Sequence, residues 1–73
     1  MSLAHLQPGL GKRLASARLR AGLTQFELAE EAGVKSHCMI SRYERGARAP
    51  SLKTLDRLSR VLDVSTHHLI GHL

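Results

Sequence analysis

Residues 36–48 crowd Ser36, His37, Cys38, Ser41, Arg42, Arg45 and Arg48 into one short stretch. At helical spacing His37, Cys38, Ser41, Arg42 and Arg45 share one face, and Ile40 and Tyr43, with Met39 in part, make the opposite, apolar one. The polar face carries recognition chemistry. An arginine fork can pair with guanine O6 and N7, an imidazole or hydroxyl can meet a base or a phosphate, and Cys38 or Met39 can touch a thymine methyl. Bond-making chemistry is missing: Cys38 has no activating and orienting partners within a cleft, so the chain is not read as an enzyme. One cysteine permits no internal disulfide and no four-cysteine zinc site. His68 and His72 stand four residues apart with nothing to complete a metal site, so neither a metal nor another cofactor is expected.

The whole-chain balance favours a polyanionic partner. Eleven Lys and Arg against six Asp and Glu give a net charge of +5 in 73 residues, a field that attracts nucleic acid. Phe26 and Tyr43 are the only aromatic residues, too few for the stacking platforms of single-strand binders, which leaves duplex DNA. The charges come in blocks. Lys12, Arg13, Arg18 and Arg20 precede any acid, Glu27, Glu30 and Glu31 follow with no base among them, and a basic stretch closes the sequence from residue 35 to 60. Lys12, Arg13 and Arg20 form a basic face that either solubilises or touches phosphate, and Lys53, Arg57 and Arg60 are expected to be solvated. No apolar run is long enough for a membrane span and no secretory signal is visible, so a cytoplasmic, non-membrane protein is expected.

Five helices and no strands are predicted to position these groups, an all-α chain. Residues 1–9 form an irregular lead-in, 10–70 the single domain and 71–73 its end. The first helix covers 10–21, with Leu10, Leu14, Ala17 and Ala21 as its stripe. The second covers 25–32, opened by a Thr24–Glu27 capping box. The third covers 37–45, with Ser36 as N-cap and Gly46 as stop. The fourth covers 52–62, capped by Ser51 and striped by Leu52, Leu55, Leu58 and Leu62. The fifth covers 66–71, capped by Ser65. Gly22, Gly33 and Gly46 close the first three. Leu28, Ala29, Val34 and Ile40 are placed to pack the second helix on the third across the Gly33 turn, as a helix-turn-helix requires.

The segments LASARLRAGLTQFELAEEAGV, ISRYERG and PSLKTLDRLSRVLDVSTHHLI resemble the lambda-repressor-like, Cro-type helix-turn-helix family, over roughly residues 10–70. The resemblance implies a compact five-helix bundle that binds operator duplex DNA as a transcriptional regulator, a repressor working as a dimer. It implies that His37, Cys38, Met39, Ser41 and Arg42 read bases. Gln25, Arg18, Ser36, Arg45 and Arg48 are implied to meet phosphates, and Arg18 and Glu44 to form a structural ion pair. Two departures stand out. The turn from Gly33 to Ile40 is one residue longer than the family's pattern, and Asp63 stands where glycine is frequent.

One half-site carries little information, so a homodimer on a palindrome is expected. Leu69, Ile70 and Leu73 are candidate dimer contacts, with closure of the core an open alternative for Leu69. Phe26 either covers the core edge or marks a protein contact. The rival function is an antitoxin-type subunit that neutralises a toxin or other protein partner.

Overall fold

Each helix supplies at least one aliphatic side chain that is wholly shut off from solvent. In the computed structural model, which describes residues 9–71, these are Leu14, Leu28, Ile40, Leu55, Leu58 and Leu69. Fully burying each contributes about 1.5–3 kcal/mol, so the five helices are held by one shared core rather than by their own propensities. The helices are α1 (Leu10–Arg20), α2 (Gln25–Ala32), α3 (His37–Glu44), α4 (Leu52–Leu62) and α5 (Thr66–Ile70). No strand occurs among the described residues. α2 packs on α3 and on α4, α1 packs on α3 and α5, and α4 and α5 lean on each other. The lead-in proper (residues 1–8), His72 and Leu73 lie outside the described residues.

Local sequence explains where the helices start. Thr24 and Glu27 form the expected box: the Glu27 N–H donates to Thr24 Oγ1 at 3.0 Å and the Thr24 N–H to Glu27 Oε1 at 2.8 Å. Ser51 accepts from the Thr54 N–H and Ser65 from the His68 N–H. Ser36 differs: it stands at the N-cap of α3, but its hydroxyl takes no capping hydrogen bond, and its carbonyl accepts the Met39 N–H instead.

The helix ends share one device. After α1, α2, α3 and α4, a residue in the left-handed region turns the chain, and the next N–H reaches back to a carbonyl of the last turn: Leu23 to Arg18, Val34 to Ala29, Ala47 to Arg42 and Val64 to Ser59. This is the Schellman closure. Glycine turns the first three. Asp63 turns the fourth at φ 56°, the one non-glycine residue with positive φ among those described. Ala21, Arg45 and Gly71 fall just outside their helices, which end one residue earlier than the sequence suggests.

Two apolar stripes need correction. Ala21 is exposed beyond the end of α1. Leu52, at the first position of α4, is 68% exposed, while Leu55, Leu58 and Leu62 are buried. Ser59 takes an inner position. Its hydroxyl donates to the Asp56 carbonyl at 2.7 Å and lies 3.3 Å from Thr66 Oγ1, so the buried polar group is satisfied.

Candidate nucleic-acid interface

The chain from Gln25 to Glu44 forms two helices joined by a four-residue turn, Gly33 to Ser36. Gly33 adopts φ 69°, a conformation that costs a side chain dearly. Val34 is drawn inward against the core and Lys35 stays exposed. Leu28, Ala29 and Ile40 are buried where the helices meet. The longer turn does not disturb the register of α3: Ile40 and Tyr43 still face the core, with Ser36 as N-cap.

With Ile40 and Tyr43 inward, the other side of α3 points to solvent. His37, Cys38, Arg42 and Arg45 are exposed, and Ser41 and Met39 are half-buried at its edges. The exposed side chains engage each other only weakly. Cys38 Sγ lies 3.9 Å from His37 Nε2, Arg42 Nη1 3.9 Å from Met39 Sδ, and Arg45 Nε donates at 3.4 Å to the Ser41 carbonyl. Arg48 is exposed in the loop after α3. Lys35 and Arg48 flank a hollow of about 430 Å³ floored by Met39 and Tyr43. Lys35 was not singled out as a contact residue from the sequence. Its signal was its place in the lengthened turn.

Behind this face lies a polar cluster that fixes α3. Arg18 donates from Nε to Glu44 Oε2 at 2.6 Å and from Nη2 to Glu44 Oε1 at 3.2 Å. Its Nη1 donates to the Leu23 carbonyl at 2.8 Å. The Arg18 and Glu44 side chains are 12% and 8% exposed. Gln25 Nε2 donates to Glu44 Oε1 at 3.0 Å. One carboxylate thus ties α1, the start of α2 and the end of α3 together, and holds the Gln25 amide beside the N-terminus of α2. Paired with Arg18, Glu44 adds little negative charge to the surface that Lys35, Arg42, Arg45 and Arg48 make positive.

Other expected positions lie elsewhere. Arg13 is not simply part of a basic face: Nε donates to the Leu69 carbonyl at 2.8 Å and Nη2 to the Ile70 carbonyl at 2.7 Å, capping the end of α5. Leu69 is wholly buried and so gives no surface for a dimer, whereas Ile70 is half-buried. No group of three or more His, Cys, Asp or Glu able to hold a metal occurs among the described residues. No helix there is long and apolar enough to cross a membrane.

A helix-turn-helix family model matches residues 14–69. The chain belongs to the lambda-repressor/Cro-like helix-turn-helix family. This is a family of DNA-binding transcription regulators. Among its members, the HTH-type transcriptional regulator ImmR of Bacillus subtilis (strain 168) is 47% identical over 62 residues, 85% of this chain and 48% of that protein. The N-terminal DNA-binding domain of SinR from Bacillus subtilis superposes with a TM-score of 0.81 at 38% identity, over 88% of this chain and 93% of that one. A structure of SinR in complex with DNA gives a TM-score of 0.80 at 40% identity, over 85% of this chain and 98% of that one. The chain spans about half the length of the helix-turn-helix regulators it matches in sequence, 48–56%.

Proposed function

We propose that this helix-turn-helix domain binds duplex DNA sequence-specifically and regulates transcription as a repressor, in the cytoplasm and without catalysis. One observation carries the reading. The outer face of α3 is free of strong internal partners and carries His37, Cys38, Ser41 and Arg42, while the Arg18–Glu44–Gln25 cluster fixes that helix from behind. α3 enters the major groove, and His37, Cys38, Met39, Ser41 and Arg42 meet base edges. Gln25, Ser36, Arg45 and Arg48 meet phosphates to either side. Arg18 is largely committed to Glu44 and the Leu23 carbonyl, so its part in phosphate binding is chiefly to place Gln25. Two copies bind a palindrome with half-site centres about 34–36 Å apart, and Ile70 contributes to the contact between them.

The test is selection from a random duplex DNA library at near-physiological salt, followed by sequencing. Enrichment of one palindrome is the expected result. Enrichment of a lone half-site would remove the dimer. No enrichment at all would overturn the reading and turn attention to a protein partner of the antitoxin kind.

A further inference from the structure

Phe26 is 57% exposed and stands apart from the core. Its ring is not among the side chains that pack the buried core. Its neighbour is His37, the first residue of α3: the ring centroids are 6.1 Å apart and the planes are tilted by 53°. Between the two rings and the turn lies an open hollow of about 270 Å³. Its walls are the Phe26 ring, Ala29 and Val34, with Ser36 and His37 on the α3 side and Glu30 and Lys35 at the rim.

Resting on the DNA-reading function above, we infer that this hollow receives the C5-methyl group of a thymine, making Phe26 a specificity-determining residue although it lies on α2. Three observations select this occupant. The hollow is continuous with the base-reading surface, because His37 belongs to both. Phe26, Ala29 and Val34 give it an apolar side, and a thymine methyl is the apolar group that a major-groove base edge presents. At its rim Glu30 offsets Lys35, so it offers a phosphate no net attraction, unlike the surface around Arg45 and Arg48. The tilted contact with His37 places the phenyl ring beside the first residue of α3.

The experiment uses the duplex found by selection. Each thymine is replaced in turn by uracil, which removes the methyl and keeps the pairing edge. Affinities are measured for the wild type, Phe26→Ala, Phe26→Leu and Arg42→Ala. One thymine per half-site should show a methyl step of about fourfold in the wild type, the worth of one buried carbon. Phe26→Ala should abolish the step at that thymine alone, Phe26→Leu should keep part of it, and Arg42→Ala should keep it in full. Phe26 lies outside the core, so its variants should melt like the wild type, which circular dichroism checks. A wild type indifferent to every uracil overturns the inference, as does a Phe26→Ala protein that keeps the full step. Failure of the underlying function looks different, since the selection then yields no duplex to substitute.

Discussion

Arg42 and Gln25 illustrate two kinds of contact that a side chain can make with a duplex. Arg42 is exposed on the outer face of α3, held only by a 3.9 Å approach to Met39 Sδ, and is free to fork onto a guanine. Arg42→Ala should weaken operator binding by about 1–3 kcal/mol and relax the preference at one base pair; repeating the selection with the variant reads both effects. Gln25 is held by Glu44 at 3.0 Å beside a helix start, where an anion is favoured. Gln25→Ala should weaken every duplex by a similar factor and leave the base preference unchanged. Competition between operator and unrelated DNA checks this, and a loss confined to the operator would contradict the phosphate role.

At the level of helices, the sequence made starts and stops easy to read, because Thr24, Ser51, Ser65 and the glycines of the turns act on their own neighbourhoods. It made close approaches hard to read, because those depend on a partner far along the chain. Gly11 is an example. A glycine in a helix reads as a minor weakness, yet a Cβ there would meet the Tyr43 carbonyl at 2.6 Å and the Glu44 carbonyl closer still. α1 lies directly on the last turn of α3. Gly11→Ala should therefore lose about 1–3 kcal/mol through overpacking, against a helix-propensity gain of about 1 kcal/mol, as urea unfolding would show. Asp63 is the opposite case: it sits at φ 56° in a closure that glycine makes after three other helices. Asp63→Gly should raise stability by about 0.5–1 kcal/mol, seen as a higher urea midpoint with an unchanged slope. Arg13 was misjudged for the same reason as Gly11, since it finds its partners at the far end of the chain.

For the molecule as a whole, the net charge of +5 pointed to a polyanion, and the structure gathers unopposed cations at one side. Arg42, Arg45 and Arg48 surround α3, while Glu44 is neutralised by Arg18 and Glu27 is spent on a cap. With Arg45 and Arg48 on phosphates, a dimer makes four charged contacts, and affinity should fall by about a hundredfold between 50 and 200 mM salt. Fluorescence anisotropy across a potassium chloride series measures the slope, and a slope near −1 would be incompatible with this face lying along a duplex. The sequence made the family and the helix-turn-helix legible because both rest on local patterns. The Phe26–His37 pair was not legible, since no spacing rule brings the start of α2 against the start of α3.

Arg13 has a mechanical meaning. Its two bonds to the carbonyls of Leu69 and Ile70 join the first helix to the last across 56 and 57 residues of sequence. Tension applied at the two ends of the domain is carried first by this seam, before the interior between α2 and α3 feels it. The domain should rupture there: α5, five residues long, peels away and uncovers Leu69, while α3 and the cluster behind it are among the last parts to yield.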